Sequence, residues 1–80
     1  MNLKPPFERI TIEPAKMGGR PCIRGMRITV RRVLEILATY PDRRDLFNDY
    51  PDLQEEDIRQ ALAFAAATVD GTIDLHLDAA

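Results

Sequence analysis

Between Ala15 and Arg27 the chain places Gly18, Gly19, Pro21 and Gly25. No helix or strand runs through so many interruptions, because glycine reaches positive φ without steric cost and proline has no amide proton to give to a ladder. This segment divides the molecule. Only a short extended piece fits ahead of it, and everything regular and long has to come after it.

Ahead of it, Glu8-Arg9-Ile10-Thr11-Ile12 alternates polar and apolar residues with Ile10 and Ile12 on one face, the pattern of a half-buried strand over residues 8–12. Pro5, Pro6 and Pro14 bracket it. A loop follows over 13–28, with room for short extended pieces at Cys22–Ile23 and Met26–Ile28. Thr29 then offers an N-cap, Ile28 and Val33 are spaced as a hydrophobic staple, and Val30, Val33, Leu34 and Leu37 recur at helical spacing, which predicts a helix over about 30–39. Tyr40-Pro41-Asp42 ends it and supplies the next cap. Tyr50-Pro51-Asp52 repeats that punctuation, so a second helix fits about 43–50, with Leu46, Phe47 and Tyr50 inward.

A third helix is expected over about 55–68, capped by Gln54, a poor capping residue, and stopped by Gly71. Its apolar stripe reads Ile58, Ala61, Leu62 and Ala65. Beyond it Ile73, Leu75 and Leu77 alternate with Asp74, His76 and Asp78, a strand-like tail. That tail is open to pairing with residues 8–12, to strand addition on a partner, or to fraying. The expected fold is therefore mainly α: an N-terminal arm (1–7), a three-helix bundle with a short N-terminal strand (8–69), and a tail (70–80) that a C-terminal strand would order. The second and third helices have the outline of a helix-turn-helix.

Eighty residues make one domain that buries only about 60% of its unfolded surface, so association with a second copy is a natural expectation, and a homodimer is anticipated. No apolar run nears the length of about 18 residues needed to cross a bilayer, and the N-terminus lacks the apolar core of a signal peptide. One cysteine and one histidine provide neither an internal disulfide nor a Cys/His metal cluster. The expectation is a cytoplasmic protein with no membrane partner, no cofactor and no metal.

Charge is unevenly distributed. Residues 1–41 hold eight Lys/Arg against three Asp/Glu, and residues 42–80 hold three against ten. Such polarity favours head-to-tail self-contact or a partner with an acidic site. Within the basic half, Lys16, Arg20, Arg24, Arg27, Arg31 and Arg32 fall in seventeen residues without one carboxylate. Arg31 and Arg32 occupy the first turn of a helix, where the dipole disfavours cations by about 0.3–1 kcal/mol each. The third helix obeys the rule, opening with Glu55-Glu56-Asp57.

Guanidinium groups around a helix start suit a phosphate, a carboxylate or an acidic metal pocket, through bidentate charge-assisted hydrogen bonds. The six basic residues are the candidate partner-binding set, against the plainer reading of a solvated basic face. The loop lacks the spacing of a phosphate-binding P-loop. Cys22 has no histidine near it in sequence and reads as a small buried residue, so no catalytic group and no small-molecule substrate are expected, and the chain is read as a non-enzyme. The acidic opening of the third helix would repel DNA phosphates, leaving the loop and first helix for any nucleic-acid contact.

The run Gly19-Arg20-Pro21-Cys22-Ile23-Arg24-Gly25-Met26-Arg27-Ile28, followed by Tyr50-Pro51-Asp52-Leu53, Asp57-Ile58 and Ala61-Leu62-Ala63, resembles the domain-of-unknown-function 433 family over about residues 8–68. Two positions depart from its pattern: Met26 stands where threonine is common, and Gln54 where Ser or Thr often caps the helix. The resemblance implies a homeodomain-like or winged-helix-like fold and an antitoxin that neutralises a PIN-like nuclease toxin from an adjacent gene. Such nucleases hold divalent metal with clustered carboxylates, a pocket that loop arginines, Arg20, Arg24 and Arg27 first, would occupy; alternatively the tail grips the toxin and Arg24 and Arg27 tie the loop to the acidic half. Binding to its own operator DNA, as a helix-turn-helix regulator, and a purely structural dimerisation module are the alternatives.

Overall fold

The computed structural model describes residues 2–71. Two strands, β1 (Ile10–Thr11) and β2 (Cys22–Ile23), precede three helices, α1 (Val30–Thr39), α2 (Arg43–Asp49) and α3 (Glu55–Val69). The fold is mainly α, as expected. The strand-like reading of the tail falls on residues 72–80 and lies outside the described residues.

β1 is shorter than the alternation over 8–12 suggests. It pairs antiparallel with β2, Ile10 opposite Ile23 and Thr11 opposite Cys22, while Asn2 bridges Thr11. All four paired residues of the two strands are buried. Arg9 interrupts the pattern, because its N–H leaves the ladder for the side chain of Gln60, 2.9 Å away.

The turn after β2 places Arg24 at φ +46° and Gly25 at +70°, with Met26 N–H donating to Ile23 O at 2.8 Å. Two consecutive positive-φ residues are the requirement of a primed hairpin turn, met here by glycine at one position and by an arginine at the other. The returning chain is held to β2 by Ile23 N–H to Ile28 O (3.0 Å) and Val30 N–H to Pro21 O (2.9 Å).

α1 begins as anticipated, with Thr29 Oγ1 accepting from Arg32 N–H at 3.0 Å. It buries Val30, Val33 and Ile36. Asp42 caps α2 by accepting from Arg44 N–H at 2.7 Å, and Leu46 is its buried anchor. Gly71, at φ +80°, closes α3, its N–H donating to Thr68 O.

In α3 the buried face differs from the apolar stripe. Asp57, Ile58, Gln60, Ala61 and Phe64 are buried, whereas Leu62 is 46% exposed and Ala65 is half-buried. Two polar residues lie on the inner face because each finds partners there. Phe64 turns the helix the same way, meeting the ring of Phe7 edge-on at 5.4 Å.

Candidate interaction surface

The six candidate basic residues divide into two groups. Arg24 keeps a side chain 34% exposed, but its guanidinium is turned onto a buried carboxylate. Its Nε and Nη2 donate to the two oxygens of Asp57, each at 2.9 Å, and Nη2 also donates to the backbone oxygen of Asp52 at 2.6 Å. Asp57 has no solvent exposure. Its Oδ1 also accepts from Arg9 Nη1 at 2.9 Å, and Oδ2 accepts from Gln54 N–H at 2.9 Å.

One carboxylate therefore joins the residue ahead of β1, the turn after β2 and the start of α3. The strained φ of Arg24, which costs about 1 kcal/mol or more in a residue with a Cβ, is held by that bidentate grip. Gln54, the poor cap, is supported from two sides: Asp57 takes its N–H, and its Oε1 accepts from Arg9 Nη1 at 2.7 Å. Burial pushes the Asp57 carboxyl up most strongly, but hydrogen bonds from Arg24, Arg9 and Gln54 together outweigh it and hold it below its ordinary value. The alternative reading of Arg24, as a tie between the loop and the acidic half, describes where its side chain goes.

Lys16 is also engaged within the loop, by Glu13 and by the backbone oxygen of Gly25. The other four arginines are exposed. Arg31 and Arg32 reach Glu35 one turn along α1 at 3.4 and 3.5 Å, and Arg32 Nη2 donates to the Tyr50 hydroxyl at 3.1 Å. Exposed pairs at such distances contribute at most about 1 kcal/mol and leave the guanidinium groups accessible. Arg20 and Arg27 make no side-chain hydrogen bond or ion pair among the described residues.

The hydrogen bond between Pro21 O and Val30 N–H, with the bridge between Cys22 and Thr29, brings Arg20 beside the start of α1. Arg31 and Arg32 thus stand in the first turn of α1, which has no acidic residue, with Arg20 beside it in the chain pairing and Arg27 on the segment that leads into it. This is a guanidinium rim open to solvent.

Cys22 is 2% exposed, and its Sγ–H donates to Arg20 O at 3.3 Å. Burial raises its thiol pKa, against the opposing charge of Lys16, the state of an inert packing residue rather than a nucleophile. His76 lies outside the described residues. No group of three or more His, Cys, Asp or Glu among the described residues is placed to hold a metal, and no described helix is long and apolar enough to cross a membrane.

Sequence reasoning missed Arg9 and Asp57 as a pair. The Gln54-to-Asp57 spacing, which forms a capping box in the structure, is a local signal that could have marked Asp57. Its partners, 48 and 33 residues away, left no local signal.

Fold and surface together define a small, mainly α protein with a buried ionic knot and a separate arginine rim. The chain belongs to the family described as a protein of unknown function (DUF433), whose model matches residues 10–65. That span covers both strands, the basic turn, α1 and α2, and most of α3. Comparison with curated proteins gives no match, and neither does comparison with solved structures.

Proposed function

We propose that this chain is a non-enzymatic, antitoxin-like protein that binds a PIN-like nuclease and neutralises it through the arginine rim. The observation that carries the reading is the exposure of Arg20 and Arg27 on the loop ahead of α1 and of Arg31 and Arg32 in its first turn, where the helix dipole would favour carboxylates. Cations kept in a locally unfavourable place suit an anionic partner. A pocket of metal-binding carboxylates matches them in charge, and the guanidinium fork matches a carboxylate in shape. The family resemblance supports the choice of a nuclease as that partner.

Arg24 enters this function by shaping the turn that leads into Arg27, and Lys16 by bracing the loop that carries Arg20 and Arg27. The tail over 70–80 is a second proposed grip on the nuclease. Helix-turn-helix DNA binding through α3 is disfavoured by Glu55 and Glu56 in its first turn, since both would face phosphates.

Co-expression with a PIN-like nuclease encoded beside the gene tests the proposal. A stable complex and relief of growth arrest are expected. Simultaneous reversal of Arg20, Arg27 and Arg31 to Glu should abolish both while leaving the thermal transition in place. Unchanged protection by that variant would overturn the role of the rim, and absence of any complex with the unaltered chain would overturn the antitoxin reading itself.

A further inference from the structure

A cleft of about 270 Å³ opens between the turn ahead of α1 and the end of α2. Met26, Arg27 and Ile28 form one wall, and the residues from Asp49 onward, with Tyr50, Pro51 and Asp52, form the other. The lining is largely apolar, with a cation on the first wall and carboxylates on the second. The Arg27 guanidinium and the Asp52 carboxylate are exposed and make no direct hydrogen bond or ion pair among the described residues, although the Arg24 charge, bonded to the Asp52 backbone oxygen, is within electrostatic reach of that carboxylate. Asp49 is already occupied, accepting from the Tyr40 hydroxyl at 2.6 Å.

We propose that this cleft is the contact face of a two-fold homodimer in which Arg27 of each copy meets Asp52 of the other. A two-fold rotation lays the positive wall of one copy on the negative wall of the next, so one surface satisfies both its charges at once. Other occupants fit less well. A free phosphate would meet the carboxylates, and a purely apolar segment would leave Arg27 and Asp52 covered and unpaired, a costly arrangement. Tyrosine, methionine and arginine are also the residue types that interface cores favour. The dimer does not depend on the antitoxin reading; because Arg27 belongs to both surfaces, a nuclease bound to the rim would compete with the second copy.

Sedimentation equilibrium of the full chain tests it without any partner. A reversible monomer–dimer equilibrium is expected, weaker at about 0.5 M salt than at about 50 mM. Arg27→Asp and Asp52→Arg should each lower the association constant about tenfold or more, since each places like charges in contact twice. The combined variant R27D/D52R should restore it. Circular dichroism should show all three variants folded, both positions being exposed. Amide shifts on dilution should concentrate at residues 26–28 and 49–53. A chain that stays monomeric, single variants that associate like the parent, a combined variant that fails to recover, or dilution shifts on another face would each overturn the proposal.

Discussion

Two guanidinium-rich regions lie a few residues apart in this chain and behave in opposite ways. In the knot, Arg9 and Arg24 close on a fully buried Asp57. In the rim, Arg20, Arg27, Arg31 and Arg32 stay in water. The same side chain serves architecture in one place and recognition in the other, and environment makes the difference. A charge pair in a low dielectric is strongly coupled, and removing one member strands the other; an exposed pair is screened and nearly neutral in energy.

The sharpest way to break this contrast is Asp57→Ala. It leaves Arg9, Arg24 and the Gln54 N–H without their shared acceptor and, with both arginines partly open to water, should cost about 2–3 kcal/mol, a large share of the stability of a domain this small. Urea denaturation measures it, and a loss under about 1 kcal/mol would show that Asp57 is not the joint. The pH dependence should agree. A carboxylate held below its ordinary value contributes stability that is complete above the unfolded-state pKa of about 3.9 and is lost as pH falls through the folded-state value. Acid unfolding of the parent should therefore steepen below about pH 4, and Asp57→Asn should flatten that limb.

Arg24→Ala comes next, at about 2 kcal/mol, because Arg9 still neutralises Asp57 and the Arg24 side chain is only partly buried. Thr29→Ala should cost about 1 kcal/mol through loss of the α1 cap, and thermal melting resolves it. Smallest of all, Arg20→Glu or Arg31→Glu should shift stability by no more than about 0.5 kcal/mol in either direction. A rim variant that unfolds the chain would erase the distinction between the two regions.

A titration sharpens the surface further. Tyr40 donates to Asp49, and that hydrogen bond pushes its pKa up to about 12. Ultraviolet titration should show one tyrosine ionising late, and Asp49→Asn should bring it back toward about 10.

Much of this architecture is local and legible in the sequence. Thr29 and Asp42 cap their helices where their side chains and spacing indicate, and Gly71 ends α3. Those features depend on a few neighbouring residues and on backbone geometry that side-chain chemistry dictates directly. The helical phase of α3 was less legible. An apolar pattern directs Leu62 inward, but burial of Asp57 and Gln60 turns that side chain out to solvent.

What the sequence determined by itself is the order of elements, their ends, and the gathering of cations around one glycine-rich turn. Which of those cations face water was decided only by the tertiary structure. The choice depends on a carboxylate 33 residues from Arg24 and 48 from Arg9, and a charge is drawn inward only when the folded chain brings its counterpart within hydrogen-bond reach and away from solvent.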